Sequence, residues 1–175
     1  MKIVQDCQTD VHDFWSAYFY LHFYTVNTAK LSENVWKEAE KMLEQIQKYP
    51  QKEEYQKLVE EDRINLYERE AEKGDDRKFL EETDRVFKEN LRGDSAWKLY
   101  ERKLVYLESK QPDISREFER FLKKYPKVMD AYVEYSIYLC RNNKMTQAQR
   151  VYREGRKRTG MTSKRAEELR RKLGL

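Results

Sequence analysis

Glycine and proline are scarce: five and three in a chain of 175 residues. A sandwich or barrel needs frequent turn residues, and a doubly wound sheet needs glycine-rich loops at its strand ends. The chain supplies neither. Cysteine is scarcer still. Cys7 and Cys140 lie far apart, which offers no disulfide framework and no paired-cysteine metal motif and fits a reducing compartment. The two histidines, His12 and His22, are ten residues apart, not at the i, i+4 spacing that places two metal ligands on one helical face. There is no glycine-rich phosphate loop, no run of 18 apolar residues and no basic-then-apolar leader. The stretch from Phe14 to Val26 is aromatic but too short and too polar to cross a bilayer. The expectation is a soluble, cytoplasmic or nuclear protein that is not an enzyme and holds no metal or cofactor.

What is present is charge and aromatic surface. Charged residues make up 39% of the chain and hydrophobic residues another 39%. That balance alone is compatible with disorder, but 13 Tyr, 7 Phe and 3 Trp are not. Thin stacked layers of helices use large rings to fill the gap from one layer to the next. Most Asp and Glu alternate with Lys and Arg at helix-pair spacing, as on a solvated face, and no pair of acids sits in an apolar setting that would suit acid–base chemistry. Cys140 follows Leu139 in an apolar helix and reads as packing. Net charge is +4, unevenly spread. Arg153 to Leu175 holds nine Lys/Arg against three Glu, a local +6, so the rest sums to −2. The basic end reads as a solvated helix able to touch an acidic partner, an RNA or an anionic membrane.

Apolar residues recur at helical spacing almost throughout, predicting about nine helices and no strand. The first carries Phe14, Trp15, Tyr18 and Leu21. Ser32 caps a second, with Val35, Trp36, Ala39, Met42, Leu43 and Ile46 as its stripe, and Pro50 closes it. A third spans about 53–73, with a break expected near Asp62. Gly74 with Asp75 and Asp76 turns the chain into the next. Further breaks fall at Gly93-Asp94-Ser95, Pro112-Asp113, Tyr125-Pro126 and Asn142-Asn143, and Thr162 or Ser163 caps a last helix.

The segments repeat. Trp97 and Tyr132 are 35 residues apart and open similar strings, AWKLYERKLVYL and AYVEYSIYL. RVFKEN (85–90) echoes RVYREG (150–155), and LEQIQKYP (43–50) echoes ERFLKKYP (119–126). This is close to the tetratricopeptide period. The unit 129–160 fits that pattern with Tyr132, Tyr135, Ser136, Leu139, Ala148, Tyr152 and Gly155. The unit 94–126 fits with Trp97, Tyr100, Leu104, Phe118 and Pro126, with Ile114 in place of the small residue and one residue inserted. The expected architecture is therefore all-α: one tetratricopeptide-like α-solenoid domain over 1–175, with 161–175 as a capping helix. A lone hairpin cannot bury its apolar face, so hairpins stack into a right-handed superhelix.

Residues 120–139, RFLKKYPKVMDAYVEYSIYL, resemble the corresponding segment of the family of subunit 2 of the endoplasmic reticulum membrane protein complex. DFWSAYFYLHFY (13–24) is similar to that family's first repeat, LEQIQKYP to its next helix end, and ERKLVYL (101–107) to a further helix start. The resemblance implies a cytoplasmic superhelix, peripheral at the endoplasmic reticulum membrane. It would cradle membrane-embedded insertase subunits and support membrane-protein insertion without catalysis. DAYVEYSIYL followed by AQRVYREG also resembles the half-tetratricopeptide repeat of nuclear RNA-processing scaffolds, serving 3′-end cleavage, splicing or ribosomal RNA processing. That repeat carries a Glu where this chain has Leu104 and Leu139.

The concave side of such an array is lined by first helices, here Arg63, Glu70, Lys98, Arg102, Val133 and Ile137. Mixed charge with a few apolar residues suits a protein segment rather than a phosphate backbone, which Glu70, Glu101 and Glu134 would oppose. Phe19, Tyr20 and Phe23, on a helix apolar all round, form a second expected partner contact.

Overall fold

The computed structural model describes residues 53–89 and 93–175, together with residues 18, 19, 22, 23, 37, 39–41, 43, 44 and 46; of residues 53–58 only the backbone is described. Ser32, Trp36, Pro50, Cys7, His12 and Tyr20 lie outside the described residues. Every regular element among the described residues is helical: α1 (Glu53–Glu72), α2 (Arg77–Lys88), α3 (Gly93–Glu108), α4 (Ser115–Lys124), α5 (Met129–Arg141), α6 (Met145–Thr159) and α7 (Lys164–Lys172). Residues 18, 19, 22, 23, 37, 39–41, 43, 44 and 46 are also helical. The chain divides into two compact units, Met1–Glu82 and Thr83–Leu175.

In the first unit, Ala39, Leu43 and Ile46 are buried at i, i+4 and i+7, and they meet Val59 and Leu66 of α1, with Tyr18 and Tyr67 packed against the cluster. α1 does not break at Asp62. No proline or glycine interrupts it, and Asp62 is 1% exposed within the helix. Its carboxylate is bonded to His22 Nδ1 (3.0 Å) and accepts from Asn65 Nδ2 (3.3 Å). Gly74, at φ +115°, makes the turn that follows, a conformation that costs glycine little.

The second unit shows the repeat as geometry. Trp97 and Tyr132, Tyr100 and Tyr135, Leu104 and Leu139 are three pairs 35 residues apart, and all six side chains are buried. They face Ile114, just before α4, Phe118 and Phe121 on α4, and Ala148, Tyr152 and Gly155 on α6, also buried. Trp97 meets Phe121 edge-on at 5.0 Å between centroids, Tyr100 lies 5.1 Å from Phe121, and Phe87 of α2 lies 4.7 Å from Tyr100. Phe118 then stacks on Tyr135 at 4.8 Å, with planes 9° apart, joining α4 to α5. Ring pairs at such separations stabilise beyond the area they bury.

The α5–α6 hairpin closes on its smallest residues. A Cβ at Gly155 would stand 2.6 Å from both Cβ and Cγ of Tyr132 and would also strike Met161. Asn143 takes a positive φ of 59° in the turn, as asparagine tolerates. Gly160 ends α6 in the left-handed conformation, and the Ser163 hydroxyl caps α7 by accepting from Ala166 N at 3.2 Å. Because Tyr132 Cβ is tied to the backbone, it cannot move aside. Gly155→Ala is therefore expected to destabilise by about 1–3 kcal/mol despite alanine's better helix propensity. Chemical denaturation of the two proteins checks this.

Candidate partner-binding surfaces

Within the second unit, α5, the start of α6, and α7 enclose a cleft of about 390 Å³. Its floor is Ile137, Cys140, Met145 and Leu169, and its edge carries Arg141, Arg165, Lys172 and Glu168. Met145 is an exposed large hydrophobic residue. Two of the edge cations are already engaged: Arg165 pairs with Glu134, and Arg141 reaches Glu108 at 3.5 Å. The edge therefore presents both signs of charge around an apolar base. Burial pushes the Cys140 thiol above its usual range, so it is less ionised than a free thiol and less nucleophilic. On the neighbouring helix, burial and the nearby Glu134 carboxylate raise Glu101. The two acids are thus close enough to feel each other.

The expected groove residues divide between the units. Ile137 lines the cleft. Val133, four residues earlier, is 1% exposed. Its side chain is packed in the interior of the unit. The helix expected as a cap borders Ile137 across the cleft. Lys98 is exposed and Arg102 half-buried on α3, beside the exposed Val105. In the first unit, Arg63 Nε pairs with Glu82 at 2.6 Å, and Glu70 is 3.5 Å from Lys78. Both serve as internal ion pairs. Phe19 and Phe23 are 66% and 50% exposed, four residues apart. That spacing places them on one helical face.

The solvated-face reading of the charges fails at Lys103, which is 5% exposed. Its ammonium donates to Asp84 Oδ1 (2.8 Å) and Glu117 Oε2 (3.0 Å). Tyr100 Oη donates to the same Glu117 oxygen at 2.6 Å, and Arg120 reaches Asp84 at 3.1 Å. Here two acids do share a half-buried setting, but each is neutralised by a cation. Burial works against ionisation of Asp84, yet the hydrogen bond and charge of Lys103, with Arg120, hold it below the usual range. Glu117 is lowered likewise, burial being outweighed by Tyr100 and Lys103. Tyr138 occupies the matching position one repeat later, 35 residues on. Its hydroxyl accepts from Ile114 N at 3.0 Å and donates to Asp113 at 3.3 Å, fastening the start of α4. Burial, with Glu119 and Asp113 nearby, pushes Tyr135 up to about 12. These groups join helices to one another. Among the described residues, no three His, Cys, Asp or Glu side chains converge as a metal site would require, and no helix is long and apolar enough to cross a membrane.

Comparison with family models, with curated proteins and with solved structures finds no match for this chain.

Because Asp84 and Glu117 titrate below their ordinary values in the folded protein, the stability they supply is complete above about pH 4–5 and lost as pH falls through the lowered values. Lys103→Met removes the cation responsible. It is expected to cost about 1–3 kcal/mol at neutral pH, and the difference from the parent should shrink in acid. Urea melts at pH 7 and pH 3 measure both; a cost independent of pH would contradict the assignment.

Proposed function

We propose that the protein is a non-catalytic helical-repeat scaffold that holds a segment of another protein. The observation that carries this is the cleft of α5, α6 and α7, with its apolar floor and a rim of both charge signs. Interfaces between proteins combine an apolar centre with a polar rim, and a helix or extended segment laid in a groove supplies complementary anchors. Glu101 and Glu134, close together on neighbouring first helices, disfavour a phosphate backbone on this side. The partner chemistry that fits is an amphipathic segment whose apolar side chains enter between Ile137, Met145 and Leu169 while its charged flanks meet Lys172 and Glu168.

The particular form of this proposal is a subunit organising the cytoplasmic parts of a membrane-embedded insertase, at the surface of the endoplasmic reticulum. It rests on the short sequence likenesses around 13–24, 43–50, 101–107 and 120–139. The exposed Phe19 and Phe23 of the first unit add a second apolar contact for such a neighbour.

The test is capture from detergent-solubilised native membranes by the tagged full chain. Ile137→Glu with Met145→Glu should reduce recovery of the insertase subunits by at least about tenfold, which corresponds to about 1.4 kcal/mol of lost binding, with the melting temperature unchanged. Lys98→Glu with Arg102→Glu should have a smaller effect in the same direction. Capture undiminished by the cleft substitutions would contradict the cleft as the binding surface and turn attention to Phe19 and Phe23.

A further inference from the structure

The face of α6 turned away from α5 has a chemistry unlike that of the cleft. Ala148, Val151, Tyr152 and Gly155 form the buried side of this helix. On the other side stand Thr146, Arg150, Arg153 and Lys157, all exposed. The three cations follow one another at i, i+3 and i+7, which keeps them in one row with axial steps of about 4.5 and 6 Å. Glu154 sits at the flank and is bound to Arg158 at 2.9 Å. Among the described residues, no carboxylate stands within ion-pair distance of Arg150, Arg153 or Lys157. Thirty-four residues earlier, Arg116 and Lys123 occupy the same repeat positions as Arg150 and Lys157, and both are exposed on α4. Glu119 stands where Arg153 does, so the run of unopposed cations is complete on α6.

We propose that Arg150, Arg153 and Lys157 form a binding site for the sugar–phosphate backbone of a nucleic acid, separate from the protein-binding cleft. A row of cations without carboxylates matches a line of phosphates and releases their counterions on contact. The same face holds no apolar or aromatic side chain. A protein partner would need an apolar centre, and an anionic membrane would need an apolar strip to enter the headgroup layer; the face offers neither. The missing rings have a second consequence. Sequence-tolerant stacking platforms use aromatic side chains, so this site grips the backbone alone and is indifferent to base sequence.

The experiment is fluorescence anisotropy of the full chain with an oligouridine and with a mixed-sequence DNA duplex, across a salt series. Arg150→Gln, Arg153→Gln and Lys157→Gln together are expected to weaken binding at least about tenfold. On a single strand they should flatten the slope of log K against log salt by about 2, three phosphates at about 0.7 each. Arg150→Lys with Arg153→Lys keeps the charge and should retain most of the affinity, which separates charge from any effect on folding. Whichever of the two probes binds more tightly identifies the source of the backbone. No binding at low salt, or binding unaltered by the glutamine substitutions, overturns the proposal. So does capture of polyglutamate or phosphatidylserine vesicles through these residues without capture of either nucleic acid. The cleft variant Ile137→Glu should leave nucleic-acid affinity unchanged, so failure of one site is distinguishable from failure of the other.

Discussion

The stack of Phe118 on Tyr135 is the contact on which the second unit depends. Each hairpin of this unit is too thin to enclose a core, and 39% charged residues leave little aliphatic material to build one. Flat rings solve the problem by reaching across the gap between layers. Phe118 faces Trp97 within its own hairpin and Tyr135 and Tyr138 of the next, so one side chain ties α3, α4 and α5 together. Phe121 does the same for Trp97, Tyr100 and Phe87. The polar ends of these rings are placed where helices need them: Tyr100 on Glu117, Tyr135 on Glu119 and Tyr138 on the start of α4.

Once α5 is held this way, its other faces are free to differ. One side, with α7 laid across it, becomes the apolar cleft of Ile137, Met145 and Leu169. α6 packs against a second side through Ala148 and Gly155, and turns an unopposed row of cations to solvent. Close approach at Gly155 and the ring stack at Phe118 therefore set the positions of two surfaces with contrasting chemistry, one suited to a protein segment and the other to a polyanion.

Much of this was legible in residue spacing. The 35-residue recurrence of Trp97 and Tyr132, the small residues at Ala148 and Gly155, and the turn signals at Gly74, Asn143 and Ser163 each have a direct physical meaning, and each stands where that meaning requires. What spacing could not convey is which charged residues leave the surface. Lys103 lies in a string that reads as solvated and Asp62 at an expected break, because the partners found beside them in the interior, Asp84 and Glu117 for one and His22 for the other, are distant in sequence. Position within the repeat held a clue for Lys103, since it shares its register with the buried Tyr138. Val133 is buried in the same way: spacing marks it as apolar but does not name the neighbours that bury it. Ile137, one turn further on, is half-buried and lines the cleft.

The central claim is that ring stacking makes the hairpins of the second unit a single cooperative body. Native-state hydrogen exchange on Phe118→Leu tests it most directly. The substitution should lower the opening free energy of the most protected amides in α4, α5 and α6 by the same amount, roughly 1–3 kcal/mol. Loss of protection confined to α4, with α5 and α6 exchanging as in the parent, would show that the hairpins open independently and would contradict the account.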